Sequence, residues 1–522
     1  LRLAGRRSSL HGHDKVEPSR CASHAGRAVI AALQGLGPVG AEMARRARAA
    51  GVMLIWRAQT RNAYRVVVRR GRVEGTSVGS SAGHGIQVVT PEGRTALASR
   101  DDLREEEALA LFDRVVRTAG QAAALRLATG SLPALEPTRG RAVPRTDGFE
   151  RIRLDEVGRR LAELEGEIVG RVPGSQLSTS YHAEVDAWRV VRSDGTDVLF
   201  AMPRCTLGAH ATHGGSGPRH GVSASLFSPS PDLPWDEPRV GRFLERAERA
   251  ARLARDLPDA PGQGPGSFPL LIDYALAKGL AHEAFGHASE ADGYRSSVLA
   301  RDGRFRAGDV VGADHVSIVD EPLEHDHAWQ PYSANGVVRE RATIVRNGKL
   351  TDGLSDVWSA GPGGVRLTGA GRAESFRHAP LPRMSNIRIE VADPLPAAGS
   401  FEDYGPERVR DLLESAGVLR RHPRVVHLSG YSGGQVNPTT GDFVFNCQAI
   451  YVLSRDGVEL RKPAIFSGSM FAALHAVREA FGPLMLDALG YCGKWGQSVP
   501  SSGGSHYFLL LEPDPGVRLG GR

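Results

Sequence analysis

The sequence predicts an α+β protein, with a mixed α/β N-terminal domain followed by a β-rich C-terminal domain that carries one chemically loaded helix. Three observations lead there. Amphipathic helical stretches alternate with strand-like ones in the first half, and short strands separated by Gly turns fill most of the second. Between them, a Pro- and Gly-rich linker is followed by a buried-type strand and an apolar helix holding two histidines and a glutamate.

Taken in order, residues 1–50 form a poorly defined extension with a helix near Gly26 to Ala50, and residues 51–257 form the N-terminal domain. Met53 to Ala98 alternates apolar and polar residues. It reads as short strands at Tyr64–Val68, Gly71–Glu74 and Gly85–Val89, joined by Gly turns. Asp101-Asp102-Leu103 caps a helix from Glu105 to Thr118. A Pro and Arg loop over Pro133–Pro144 leads to a helix near Leu154–Glu165 and to strands near Ile168, Ala187–Val191 and Val198–Met202. The Gly- and His-rich run Gly208–Gly221 contains His210, His213 and His220, and reads as a turn between strands rather than a metal tract. Arg239–Leu257 is a charged amphipathic helix, and the linker follows at residues 258–267.

The C-terminal domain spans residues 268–522 and is expected to be catalytic. Pro269–Asp273 is its first strand. Further strands are expected at Ala342–Arg346 before the Asn347-Gly348 turn, at Phe443–Val452 and at Tyr507–Leu511, with helices near Phe401–Ser415 and Met470–Phe481.

Composition excludes several classes. With 41% hydrophobic and 24% charged residues, the chain is ordinary for a soluble protein, and no apolar run approaches a membrane span of about 18–20 residues. The first twenty residues hold no signal-like apolar segment, so the expected location is the cytoplasm. Cys21, Cys205, Cys447 and Cys492 are far apart and read as reduced thiols. The net charge of +6 comes from scattered Arg, so no nucleic-acid partner is expected.

The loaded helix reads Ala281-His282-Glu283-Ala284-Phe285-Gly286-His287. Zinc hydrolases need imidazoles to hold the metal and a neighbouring carboxylate to take a proton from water. In the usual H-E-x-x-H the histidines are four apart, roughly 40° around a helix, whereas five apart is roughly 140° and cannot converge on one ion. A local widening such as a π-bulge is therefore expected, with Gly286 as the residue where the backbone yields. A catalytic zinc usually takes a third protein ligand. Cys492, in a Gly-rich loop beside Lys494, is a better setting for a thiolate than Cys447 in mid-strand.

Five motifs occur in one order across this half: His282 to His287 with Glu290 downstream, Thr368–Ser375, Pro380–Asn386, Gly433–Phe445 and Cys492–Pro500. With them the chain resembles the TldD/PmbA metalloprotease family, specifically its TldD-like, zinc-bearing branch. The resemblance is best over Phe268–Pro500, weaker over Tyr64–Thr118 and absent before about residue 50. It implies Zn2+ held by His282, His287 and Cys492, with Glu283 as general base. It also implies a dimer enclosing the proteolytic centre, as a homodimer or as a heterodimer with a metal-free PmbA-like subunit, acting on unfolded or short peptides. Arg372 and the segment containing Gly433, Gly434, Gln435 and Asn437 would line the substrate groove, where an extended peptide could add as a strand. For Arg372 the competing expectation is an ion pair with Glu374.

Two departures stand out. Ala288 follows the second histidine where the family commonly has Gly, and Glu324–Ser333 replaces an acidic stretch. His325 and His327 in that segment read as solvated or substrate-contacting rather than as a second metal site. The functional expectation is thus a zinc-dependent peptidase. Its main rival is a non-catalytic partner or scaffold subunit of the same fold, and no nucleophile elbow supports a serine or cysteine hydrolase.

Overall fold

The computed structural model describes residues 25–121, 135–213 and 220–520. Cys21, the rest of residues 1–24, the start of the loop at 133–134 and positions 214–219 of the Gly/His run lie outside the described residues.

Helices α1 (Ala25–Gly35) and α2 (Gly37–Ala49) precede strands β1 (Met53–Arg69), β2 (Arg72–Val89) and β3 (Thr95–Arg100). Helix α3 (Glu105–Gln121), β4 (Arg139–Ala142), α4 (Leu154–Arg171), β5 (Ser175–Arg192), β6 (Asp197–His213), β7 (Val222–Ser228) and α5 (Glu237–Asp256) follow. The seven strands form one sheet in the order β3-β2-β1-β5-β6-β4, with β7 also on β6. Every pair is antiparallel except β4 with β6.

The two faces of this sheet have different tasks, and β1 shows why. Leu54, Trp56 and Ala58 point into the core beneath the helices. Their alternate neighbours face the C-terminal half: Ile55 packs with Trp329 and Ala373, and Gln59 Oε1 accepts from the backbone of Phe376 at 2.9 Å. The approach is close enough that a Cβ on Gly85 of β2 would come 2.0 Å from Phe376 O. Arg204 of β6 adds a link by donating to His327 O at 2.8 Å.

The second sheet holds thirteen strands. In chain order these begin with β8 (Leu270–Asp273), which runs into helix α6 (Tyr274–Gly279). The minor strands β9 (Ala300–Arg301) and β10 (Arg304–Phe305) form a separate ribbon. The sheet then takes in β11 (Val316–Glu321), β12 (Ala342–Arg346) and β13 (Lys349–Leu350), while β14 (Gly371–Arg372) and β15 (Leu381–Pro382) pair only with each other. It continues through β16 (Asn386–Val391), β17 (Arg424–Asn437), β18 (Asp442–Ser454), β19 (Gly457–Arg461) and β20 (Ile465–Ser469). It closes with β21 (Val477–Met485), β22 (Gly490–Lys494), β23 (Gln497–Leu511) and β24 (Val517–Leu519). Strand β8 lies at its centre, antiparallel to β23 and parallel to β17. All four of its residues are buried, which is the pattern of a strand covered on both faces.

Four expectations need correction. The short strands of Met53–Ala98 are two long ones, because Gly75, Gly79 and Gly83 continue β2 and only Gly71, at φ 70°, makes the turn. Ile168 is helical: with Val157, Leu161 and Leu164 it forms the buried stripe of α4. His210 and His213 belong to β6 rather than to a turn. The helix expected over Met470–Phe481 stops at Ala476, and the remainder is β21 paired with β23. Among the described residues no helix is long and apolar enough to cross a membrane.

Candidate metal centre

The site is built outward from β8. Asp273 ends that strand and caps α6, its Oδ1 accepting from Leu276 N at 3.0 Å. Its Oδ2 accepts from Gly430 N at 2.6 Å, so the same carboxylate fixes the kink in β17 where Gly430 has φ 70°. Helix α6 then widens. Leu280–Gly286 is a π-helical turn in which the N–H of His287 reaches back to His282 O, five residues away. That pairing brings residues five apart to one side, and the two imidazoles meet with ring centroids 5.2 Å apart.

Gly286 has a different role from the one expected. Its φ of −58° is open to any residue, but a Cβ there would come 2.0 Å from Met384 Sδ. The glycine is needed for close packing of the turn against Met384.

Cys492 reaches the histidines from β22, the first arm of a hairpin with β23. Its Sγ lies 3.5 Å from His287 Nε2, and the ligand atoms of His282, His287 and Cys492 all fall within 4.8 Å of one another. Zinc with bonds of about 2.0–2.3 Å in a tetrahedral site would separate its ligands by roughly 3.3–3.8 Å, so the set closes on such an ion with small adjustments. His282 Nδ1 is buried without a hydrogen-bond partner, as suits an imidazole whose partner is not a protein atom. These residues fit zinc. Cys447 stands outside the group: its Sγ lies 3.8 Å from Ala464 O, and burial pushes its thiol up to about 12.

The electrostatics treat the three groups differently, and zinc binding would have to displace a proton from His287. Burial, reinforced by Lys278, holds the His282 pKa well below the usual imidazole value, leaving a neutral ring. Burial would depress His287 too, but the Glu290 carboxylate 3.1 Å from its Nδ1 outweighs it and raises the pKa well above the ordinary value. Burial alone would raise the Cys492 thiol, but His287 and Arg383 bring it below its ordinary value. Arg383 also donates to Cys492 O. Lys494 does not act on the sulfur as expected, since its Nζ bonds Glu290 Oε2 at 2.8 Å and Asp292 Oδ1 at 2.7 Å. It steadies the carboxylate that orients His287.

Glu283 projects from the widened turn with Oε2 3.9 Å from His287 Nε2, and its Oε1 accepts from the Tyr431 hydroxyl at 3.3 Å. Tyr431 carries no signal in the sequence, because the kink that delivers it is set by Asp273.

The remaining candidates are dispersed. Arg372 is fully buried, donating to Gln330 Oε1 at 3.1 Å and to the carbonyls of Met384 and Pro500 at 2.6 and 2.7 Å, so it joins segments and forms no ion pair with Glu374. Gly433 lies in a bulge of β17 between Tyr431 and Gly434, and Gly434, Gln435 and Asn437 lie on the outer part of the strand beyond it. Glu324 and His325 are exposed. His327 is buried between the rings of Phe227 and Tyr491.

Residues 265–487 match the model of the PmbA/TldA metallopeptidase C-terminal domain. The C-terminal half of this chain is therefore similar to the C-terminal domain of the PmbA/TldD family. A metalloprotease of Methanocaldococcus jannaschii is 34% identical over 265 residues, covering 50% of this chain and 52% of that protein. A zinc metalloprotease TldD homolog of Saccharolobus solfataricus is 27% identical over 246 residues, covering 46% of this chain and 50% of that protein. The chain spans about half the length of the curated relatives it matches. The fold extends further than the sequence likeness. TldE from Thermococcus kodakarensis superposes with a TM-score of 0.72 at 15% identity, over 94% of this chain and all (100%) of that one. The PmbA/TldD fold therefore includes the N-terminal sheet as well as the domain bearing His282, His287 and Cys492.

Proposed function

We propose that this chain is a zinc-dependent peptidase hydrolysing unfolded or short peptides. One observation carries the reading: a π-helical turn and a distant hairpin bring two imidazoles and a thiol to within 4.8 Å of one another, with the Glu283 carboxylate 3.9 Å from His287 Nε2. The names of its metalloprotease relatives support it at the level of reaction class.

His282, His287 and Cys492 would hold zinc, which would supply Lewis acidity toward a carbonyl and lower the pKa of water toward about 7. Glu283 takes the proton of the attacking water and returns it to the leaving amine. Tyr431 fixes the direction of that carboxylate, and Glu290 fixes the ring of His287 so that Nε2 faces Cys492. From Gly430 to Asn437, β17 pairs only with β18 among the described residues. The other edge of that stretch suits an extended peptide joining by strand addition. Assembly follows the resemblance, as a homodimer or with a metal-free relative.

The test is elemental analysis of the wild type and Cys492→Ser after zinc reconstitution, with peptide cleavage measured with and without chelator. About one zinc per chain, lost in the variant together with chelator-sensitive cleavage, is the expected result. A folded wild type that neither retains zinc nor cleaves peptide overturns the reading in favour of a non-catalytic subunit.

A further inference from the structure

Beside the metal centre, and outside the machinery described so far, lies a cavity of about 490 Å3. Its apolar wall comes from Tyr294, Trp358, Pro362, Pro380, Leu381 and Pro382. The cavity and the metal centre are joined through Lys494. Lys494 Nζ bonds Glu290, the partner of His287, on one side, and on the other bonds Asp292 and approaches Pro382 O at 3.5 Å, both of which line the cavity.

The acidic residues around it do not make it a trap for cations. Asp292 is paired with Lys494. Asp356 is buried, with Oδ1 taking three hydrogen bonds from the backbone of Trp358 and from the backbone and hydroxyl of Ser359. The exposed Asp302 is accompanied on the lining by the exposed Arg295. What the interior offers is aromatic and proline surface.

A second observation concerns the hairpin turn next to Lys494. The hairpin that carries Cys492 pairs Lys494 with Gln497, leaving Trp495-Gly496 as a two-residue turn with φ 53° and 77°. Such a turn favours Asn or Gly at its first position, and a bulky side chain there is strained. Trp495 is also 86% exposed, the most of the large hydrophobic side chains among the described residues. A strained backbone presenting an uncovered indole weakens folding twice over, so its retention calls for a use outside folding. It stands one residue from Lys494, which bonds the cavity-lining Asp292.

We propose that this cavity is the pocket for an aromatic or bulky apolar side chain of the peptide flanking the cleaved bond, with the Trp495 turn, next to Lys494 in sequence, contributing to it. The proposal rests on the peptidase reading of the adjoining centre. The volume falls in the range of pre-formed ligand sites, about 300–1,000 Å3, and suits a ring entering between Trp358 and the prolines.

The test separates the pocket from the reaction. Calorimetry on the metal-free full chain compares N-acetyl-phenylalaninamide with the alanine and arginine amides. At least tenfold tighter binding of the phenylalanine amide is expected, with the preference abolished by Trp358→Ala and reduced by Trp495→Asn. Trp495→Asn should also melt at higher temperature than the wild type, which a purely structural tryptophan would not allow. Equal binding of all three amides, a preference for the arginine amide, or an unchanged preference in both variants overturns the proposal. With zinc bound, a cleavage preference for phenylalanine over alanine peptides should fall in both variants. A wild type that binds the phenylalanine amide but cleaves nothing would sink the peptidase reading and leave the pocket standing.

Discussion

The hydroxyl of Tyr431 donates to Glu283 Oε1 across 3.3 Å, while its ring lies so close to the backbone of α6 that a Cβ on Gly279 would meet it at 2.7 Å. The ring also meets Phe445 edge-on, with centroids 6.0 Å apart. The hydroxyl is therefore held rigidly against the carboxylate it serves.

Replacing Tyr431 by Phe keeps the packing and removes one hydrogen bond to a charged group, worth about 1.5 kcal/mol, so kcat should fall about tenfold. Zinc content and KM should stay near wild-type values. Steady-state kinetics with elemental analysis checks this, and a loss of zinc would reassign Tyr431 to metal retention.

Glu283→Ala should hold zinc as the wild type does and lose about 100- to 10,000-fold in kcat, the usual worth of a general base. His282→Ala should lose the metal itself. Cleavage by Glu283→Ala protein free of contaminating protease would remove Glu283 from the mechanism.

Glu290→Gln deprives His287 of the carboxylate that orients it and leaves Lys494 with Asp292 alone. Zinc affinity should drop by about 10- to 100-fold, as for other partners of metal-binding histidines. Competition against a chromogenic chelator measures it, and unchanged affinity would show that packing alone orients the ring.

Gly286→Ala places a methyl where Met384 Sδ already sits. Overpacking of this kind costs about 1–3 kcal/mol. Denaturant unfolding of the metal-free protein should show that loss, and relief of it by Met384→Ala in the double variant would confirm the contact as its source.

The N-terminal sheet supplies a pH dependence. Burial works to raise the Glu184 carboxyl, but Arg204 and Arg61 outweigh it and hold the pKa at about 2, below its ordinary value of 4.5. A depressed carboxylate stabilises the fold above its unfolded pKa, and that contribution disappears as pH falls through the folded one. Between about pH 5 and pH 2 the wild type should therefore lose roughly 3 kcal/mol more than Glu184→Gln. Parallel curves for the two proteins would mean that the Arg204–Glu184–Arg61 cluster contributes no net stability.

Much of the metal centre was legible because its chemistry conflicts with regular geometry. Histidines five apart cannot share an ion on an α-helix, and the π-helical turn resolves that conflict. Cys492 could be preferred over Cys447 from its Gly-rich surroundings, but both sulfurs are buried, and what separates them is that Cys492 Sγ lies beside His287 Nε2 whereas Cys447 Sγ lies beside Ala464 O. The supporting residues were harder to read. Tyr431, Arg383 and the bond between Lys494 and Glu290 depend on contacts between segments far apart in the chain, which no local pattern encodes. The same limit explains the errors in fold. Val477–Phe481 has residues that suit either a helix or a strand, and pairing with β23 decides. The glycines of β2 read as turns although they lie in an exposed arm of a long hairpin.

The sulfur of Cys492 is separated from His287 by 205 positions, yet both hang from the centre of one sheet, where β23 lies directly against β8. During synthesis, the histidine-bearing turn leaves the ribosome long before the strand that must lie beside it. At about 5–20 residues per second, that interval lasts roughly 10–40 seconds. A nascent chain thus has two of the three candidate ligands and no way to finish the set until the hairpin of β22 and β23 has been made, so any metal chemistry at this site waits for the last part of the domain to fold.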